Sequence, residues 1–473
     1  MRVLFVTHQI DYEPHGIMHL SSALKVAGHE VALAVDALED PVRVAKEFQP
    51  GIIGYSLITG SHRYYYQLNR RLKEKVDFFS AFGGPHPTFF PQMIEEEGVD
   101  GLCIGEGEEA LVDMANSLEA GRFDLAIPNW WFKVDGKIIR NSVRPLVDDL
   151  DRLGLPDRDL VYLKDPIYRH SKIKHFISGR GCPYNCTYCF NHAFSKIYKG
   201  KGKRFRQRSV DNVIEELRQV KEGYPLEFVI FVDDTFVLSQ GWLEEFAEEY
   251  PKKIGLPFFC NTRANLVTEK QVRLLKKAGA FCVGMGIEAG NDRVRNELLK
   301  RNMSRDQILH ACRLLHEGGL NFTTTNMLAL PTSNLEDDFE TLQLNIQCRP
   351  VYAHAFLFQP YPKTELGEFT REEGWMAGSL DDMSNIMWDK SVLQFPKEEK
   401  QQMENLQRFF AIAVEWPRLL PLIRFLIKLP RNRLFWLVHK LWKGYALGTR
   451  VHPARLSLRG HIEMVRHYMR IKS

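Results

Sequence analysis

The sequence predicts an α/β protein in three parts: an N-terminal doubly wound parallel sheet, a partial (βα)6 barrel and a helical C-terminal cap. Two observations carry the first two parts. Short strand-like apolar runs alternate with amphipathic helical stretches in two separate series, the pattern of parallel sheets covered by helices. A Pro- and Asp-rich stretch separates the series, as linkers do. The third observation is charge: residues 401–473 carry 14 Lys+Arg against 3 Asp+Glu, and the preceding 400 residues carry 49 against 56. A mildly acidic body therefore precedes a strongly basic end. At 473 residues the chain is too long for one ordinary domain. The expected division is 1–125, a connector at 126–170, 171–370 and a basic helical region at 371–473.

In the first series the expected strands are Val3–Thr7, Glu30–Val35, Ile52–Ser56, Phe78–Phe82 and Gly101–Ile104. Amphipathic stretches such as Gly16–Ala27 and His62–Lys75 lie between them. Open sheets of this kind bind ligands beyond the carboxyl ends of their strands. Small and polar residues gather there: Asp11 to Gly16, Ser56 to Gly60, Gly83 to Thr88 and Gly105 to Glu108. Glycine admits a close ligand, and hydroxyls bond amides. Ser56, Thr59, Gly60, Gly83 and Gly84 are among these small and polar residues. In the connector, Trp130 to Ile139 reads as a hairpin around Asp135-Gly136.

The second series has expected strands at Lys174–Ser178, Phe228–Val232, Pro257–Asn261, Cys282–Ile287, Phe322–Leu328 and His354–Phe358. Helical patterns such as Ser209–Lys221 and Glu269–Ala278 fill the gaps. Six βα units make an open barrel, whose site lies at the C-terminal strand ends. After the first of these strands come Cys182, Cys186 and Cys189, spaced Cys-x3-Cys-x2-Cys and followed by Phe190. Three thiolates can hold three irons of a 4Fe–4S cluster and leave the fourth open to bind a small molecule. The alternative is a structural zinc site with His192 as fourth ligand. Paired Cys-x2-Cys elements are usual there, and here the triplet instead leads into a long α/β pattern.

The triplet and its place after a first barrel strand resemble the radical SAM superfamily. The resemblance spans about 190 residues. It implies that the open iron chelates S-adenosylmethionine and that a 5′-deoxyadenosyl radical is released. Most of residues 1–120 resembles the cobalamin-binding domain that precedes many radical SAM domains, and the resemblance implies that Ser56, Thr59, Gly60, Gly83 and Gly84 lie on the loops that cradle the cobalamin tail. Further strand ends then gain implied roles. Asp233 and Asp234 in Phe231 to Phe236 would receive the methionine ammonium. Arg263 would pair with its carboxylate or reach the ribose. Glu288, within Gly286 to Gly290, would accept from ribose hydroxyls. A helix cap would explain one of the two aspartates.

Two departures from the families stand out. The methionine-synthase-type pattern Asp-x-His-x-x-Gly reads here Asp11-Tyr-Glu13-Pro-His15-Gly16. Glu13 occupies the cobalt-ligand slot, so cobalt without a protein histidine below it is expected, with His15 as the alternative. Leu328 to Thr332 stands where relatives have Gly-Leu-Pro-Gly, which weakens backbone approach to adenine. Cys103, Cys260, Cys282, Cys312 and Cys348 read as small buried hydrophobes, with Cys260 near the expected mouth.

The resemblance implies a cobalamin-dependent radical SAM enzyme with three cofactors: a 4Fe–4S cluster, S-adenosylmethionine and cobalamin. Methyl transfer to an unactivated carbon or phosphorus is the leading expectation. Cyclisation or ring rearrangement without methyl transfer is the alternative, as in the anaerobic porphyrin-ester cyclase. A methylthiotransferase would carry three more cluster cysteines in its N-terminal domain, and only Cys103 precedes Cys182. A cobalamin sensor using the first domain alone would not need the cysteine triplet. Expected partners are a small substrate, hydrophobic or lipid-like, and an external electron donor, with no nucleic acid. The tail from Trp416 to Lys443 mixes apolar and cationic residues. It suits either a basic cap on the barrel, which Pro417, Pro421 and Pro430 favour, or peripheral contact with membrane. Eight cysteines without a secretory leader, and no run of 18 apolar residues, give a cytoplasmic expectation.

Overall fold

The computed structural model describes residues 1–377 and 390–452. Its first sheet contains β1 (Arg2–Thr7), β2 (Glu30–Val35), β3 (Ile52–Ser56), β4 (Phe79–Gly83) and β5 (Gly101–Cys103), all parallel, in the order β2-β1-β3-β4-β5. Alternation along β1 builds two cores: Val3 and Phe5 enter one, Leu4 and Val6 the other. Helices α1 (His15–Val26) and α4 (Glu108–Glu119) cover the first face. The second is covered by α2 (Pro41–Phe48) and α3 (His62–Lys73). The doubly wound expectation therefore holds, with one addition at the edge.

That addition is the hairpin β6 (Trp130–Val134) and β7 (Lys137–Arg140). Asp135 (φ 47°) and Gly136 (φ 73°) form its turn, both left-handed as a two-residue hairpin requires. Expected in a connector, the hairpin instead extends the first sheet. β6 runs antiparallel to β5, pairing Trp130 with Cys103, and this makes the sheet mixed. Trp130 is fully buried and its Nε1–H donates to the Ala110 carbonyl at 2.8 Å. Burying two large aromatics, Trp130 and Phe132, ties the strand to the core.

The second sheet contains β8 (Ile173–Phe176), β9 (Phe228–Phe231), β10 (Phe258–Thr262), β11 (Ala280–Glu288), β12 (Asn321–Leu328) and β13 (Tyr352–Leu357). All six are parallel in sequence order, and β8 and β13 are the two ends. It is the predicted open barrel. The 14-residue helices α5 (Val210–Gly223) and α6 (Gln240–Lys253) follow β8 and β9. Ser209 caps the first as expected, accepting from Asn212 N–H at 3.1 Å.

The C-terminal region caps the barrel edge. The 19-residue helix α7 (Lys397–Glu415) lies against β13, and Gln407 donates to the Ala355 carbonyl of that strand at 2.9 Å. This satisfies an edge acceptor that has no neighbouring strand. Two shorter helices, α8 (Leu420–Leu426) and α9 (Arg433–Ala446), pack on α7 through Ile423 and Phe435.

Candidate active site

The cysteine loop is built by the turn that follows β8. Cys189 stands immediately before the helix Phe190–Ile197, as its N-cap, so amide N–H groups face the thiol side of the loop. The loop is tied down at Thr187, whose N–H donates to the Leu299 carbonyl at 3.2 Å and whose hydroxyl donates to the Leu298 carbonyl at 2.7 Å. Cationic and amide donors point at the sulfurs. Arg263 Nη1 is 3.6 Å and Arg301 Nη1 3.8 Å from Cys186 Sγ, and Asn191 Nδ2 is 3.8 Å from Cys189 Sγ. Such donors favour thiolate over thiol. Burial pushes the Cys189 thiol up to about 11, so metal binding at this site releases protons. Among the described residues no three His, Cys, Asp or Glu side chains stand converged as a metal-holding group, but three free cysteines with this donor set have the chemistry of a three-thiolate iron–sulfur centre. His192 Nδ1 instead approaches Glu365 Oε2 at 3.9 Å, which offers no support for a closing zinc ligand.

The aspartates of the β9 end separate. Asp233 is buried and accepts from Ser178 N–H at 3.1 Å and Ser178 Oγ–H at 2.7 Å. Burial nevertheless pushes its carboxyl up to about 6. Its oxygens clamp β9 to the start of the cysteine loop, which leaves little capacity for an ammonium. Asp234 instead lines an open cavity beside Asn191.

Arg263 and Glu288 belong to one buried cluster. Arg263 lies 3.8 Å over the Tyr184 ring, bonds Asn265 Oδ1 at 2.7 Å and donates to the Arg301 carbonyl. Arg301 donates to the Tyr188 hydroxyl at 3.2 Å and to the Gly286 carbonyl at 2.5 Å. Burial raises the Glu288 carboxyl pKa, and Arg301 opposes that rise. Arg301 and Tyr188 were missed in the sequence. Tyr188 carried the better signal, an aromatic one position before the last cysteine. The glycines around Glu288 serve packing as much as ligand approach: a Cβ on Gly290 would stand 2.4 Å from the Glu340 carbonyl oxygen. At the departing Leu-Pro turn, Ala329 (φ 55°) takes the left-handed conformation that favours glycine, with its N–H 3.2 Å from both Asp338 oxygens. Cys260 is fully buried in the core, as a small hydrophobe.

A cavity of about 220 Å³ opens at the carboxyl ends of β1, β3 and β4. Ser56, Gly83 and Gly84 line it, as expected; Thr59 and Gly60 do not. Thr59 Oγ1 bonds His86 Nδ1 at 3.2 Å instead. Gly84 sits at φ +91°, and a Cβ there would meet Leu57 N and O and Ser56 Oγ at 3.0 Å, so the wall tolerates no side chain. His15, the alternative cobalt ligand of the sequence reading, lines this cavity, as do His19 and Arg180, which the sequence did not single out. His15 Nε2 and His19 Nδ1 are buried without a hydrogen-bond partner among the described residues. Burial lowers their pKa to about 3 and about 4, so both rings are neutral. The close glycine wall and the two unpartnered imidazole nitrogens suit one end of a large tailed cofactor such as cobalamin, the rest of which would extend beyond this space.

Glu13 faces away from that cavity. It bonds Arg158 at 3.2 Å, His175 N–H at 2.5 Å, His175 Nδ1 at 2.9 Å and the Tyr162 hydroxyl. The residue in the cobalt-ligand slot is thus a pin between the first sheet and β8. Arg158 continues to Glu216 at 2.5 Å, which also holds Arg208.

A second cavity, of about 410 Å³, lies between the two sheets. Phe89, Phe190, Phe194, Tyr198 and Leu146 give it an apolar wall, and Asn191, Arg204 and Asp234 are among its polar residues. It shares Gly84, Gly105, Glu106 and Arg180 with the first cavity. Phe190 lies 5.0 Å from Phe89 and 5.4 Å from Tyr361, ring centre to ring centre. Arg180 bridges Glu106 at 3.3 Å and Glu108 at 2.6 Å across the same boundary.

Residues 1–115 match the B12 binding domain and residues 176–344 match the radical SAM superfamily. An uncharacterized methyltransferase of Pyrococcus horikoshii is 27% identical over 370 residues, covering 75% of this chain and 78% of its own. The anaerobic magnesium-protoporphyrin IX monomethyl ester cyclase of Rubrivivax gelatinosus is 27% identical over 398 residues, covering 77% and 69%. Among solved structures, the radical S-adenosylmethionine methyltransferase TsrM from Kitasatospora setae, with cobalamin and a [4Fe-4S] cluster bound, superposes with a TM-score of 0.67 at 18% identity, covering 83% of this chain and 82% of its own.

Proposed function

We propose that this chain, a radical SAM enzyme with an N-terminal B12 binding domain, methylates an unactivated carbon or a phosphorus of a small substrate. The observation that supports the reading is that the two cavities share four lining residues, with Gly181 and Phe190, on either side of the three cysteines, lining one and Ser56 and Gly83 lining the other. When bound, the cluster with S-adenosylmethionine supplies a 5′-deoxyadenosyl radical, and cobalamin supplies a methyl group.

The chain's own residues position and protect. Cys182, Cys186 and Cys189 would hold three irons, with Arg263 and Arg301 offsetting the thiolate charge. Glu288 and Asp234 would receive the hydroxyls and the ammonium of S-adenosylmethionine, while Asp233 holds the loop in place. Ser56, Gly83 and Gly84 would cradle cobalamin. Phe89, Phe190 and Phe194 give the second cavity an apolar wall, which would help keep water from a radical once substrate fills it. That apolar wall supports a hydrophobic or lipid-like substrate. The reading calls for an external electron donor and for no nucleic acid. Eight free cysteines suit a reducing cytoplasm.

The test has two stages. Reconstituted enzyme with reductant and S-adenosylmethionine should form 5′-deoxyadenosine, and Cys182→Ala should abolish it. Metabolites that accumulate in a deletion strain are then supplied as substrates, and a product heavier by one CH2 supports methylation. The similarity to the Rubrivivax cyclase favours a second reading, ring formation without methyl transfer. A product with no added CH2 selects it.

A further inference from the structure

We propose that the outward face of α8 and α9 docks on an anionic lipid bilayer. Among the described residues, nine of the sixteen exposed large apolar side chains fall between Trp416 and Tyr445. Scattered exposed leucines are ordinary, but a concentration of this kind marks a binding surface. On α9 the exposed residues are Leu434, Leu437, Leu441 and Tyr445. Steps of three, four and four residues put them on one face of the helix. Phe435 and Ala446, on another face, are buried in the packed cores. On α8, Leu422 and Phe425 are exposed while Ile423 is buried. Trp416 and Trp442, with ring centres 4.6 Å apart, connect the start of this segment to α9.

Charge identifies the partner. Residues 416–452 contain eight Lys+Arg and no Asp or Glu. Arg418, Lys428 and Arg433 are exposed beside the apolar residues. Apolar side chains among cations, with no acid, complement an acyl layer under phosphate head groups. A second copy would bring two cationic faces together, which repel. Residues 453–473 carry five Lys+Arg and one Glu, so they too are a poor electrostatic match. The contact is peripheral. The 14 residues of α9 span about 21 Å, short of the ~30 Å hydrocarbon core. No helix of the described residues is long and apolar enough to cross a membrane. None of the apolar residues named here lines either cavity.

The full chain is mixed with vesicles of phosphatidylcholine alone, or of phosphatidylcholine and phosphatidylglycerol, and separated by flotation. Binding should be on the order of tenfold stronger to the mixed vesicles and should weaken in high salt. The variant Arg418→Gln/Lys428→Gln/Arg433→Gln should lose that preference. The variant Leu434→Glu/Leu437→Glu/Leu441→Glu should lose binding altogether. Both variants should keep 5′-deoxyadenosine formation, which separates this surface from the catalytic reading and shows that they fold. A wild-type chain that stays off mixed vesicles overturns the proposal. So does a dimer by light scattering that the Glu variant converts to monomer, which would assign the face to a second copy.

Discussion

Arg301 ties the cysteine loop to the end of β11, through Cys186, Tyr188 and the Gly286 carbonyl. It was illegible in the sequence because it lies beyond the strand-end motif, on a loop. Lys300 (φ 51°) and Asn302 (φ 50°) on either side are both left-handed, and such backbone reversals carry no clear signal in non-glycine residues. Glu288 was legible because it ends a strand. Arg301→Met should lower unfolding free energy by about 1–3 kcal/mol, because it removes the guanidinium that opposes the burial of Glu288 and leaves the Tyr188 hydroxyl and the Gly286 carbonyl without that donor. Adding Glu288→Gln should recover part of the loss in denaturant titration. A double variant no more stable than the single would show that charge pairing is not the cause.

At the scale of elements, the loop from β1 to α1 divides its work. Glu13 pins the first sheet to β8, and His15 begins the helix that lines the cavity. The spacing of the motif was visible in the sequence, but the exchange of roles was not, because Glu13 finds its partners some 145 to 162 positions away. The β4 end is more legible. A glycine pair after an apolar run announces a close approach, and Gly84 makes it. Thr59 and Gly60 satisfied the same composition rule yet lie outside the cavity, because that rule cannot tell which way a loop turns. Gly84→Ala should weaken cobalamin binding by more than about tenfold, since a left-handed φ and a 3.0 Å approach to backbone both resist a Cβ. Isothermal titration with hydroxocobalamin would measure it, and unchanged affinity would remove Gly84 from the cradle.

Over the whole molecule, buried neutral imidazoles set the acid limit. Burial lowers His15 and His354 to about 3 and His19, His86 and His439 to about 4, from 6.5. Below pH 6.5 the unfolded chain binds protons that these folded rings refuse, so stability falls as pH drops from 6.5 toward 4. Each such group contributes a slope of up to about 1.4 kcal/mol per pH unit. Asp233 opposes them: its folded value of about 6 exceeds the ordinary 3.8, so the folded state gains a proton first between pH 6 and 4. Burial also raises Asp234, Glu288 and Asp338, and these five imidazoles together with His452, lowered to about 4, outnumber the four carboxyls. Denaturant midpoints should therefore fall steadily from pH 7 to pH 5, and a flat profile would contradict the burial of these rings.

The amino-acid order alone determined the two βα series, the six barrel strands and the cysteine loop. Those features rest on local periodicity and short spacing, which a chain carries wherever it folds. Tertiary structure decided which polar residues face ligand. Asp233 became a clamp, Glu13 a pin and Trp130 part of the first core, while His15, Arg180 and Arg301 gained places at the cavities and the cysteine cluster. Each of those outcomes depends on a partner distant in sequence, and buried charge and hydrogen-bonding groups must find such partners when the two sheets close on one another.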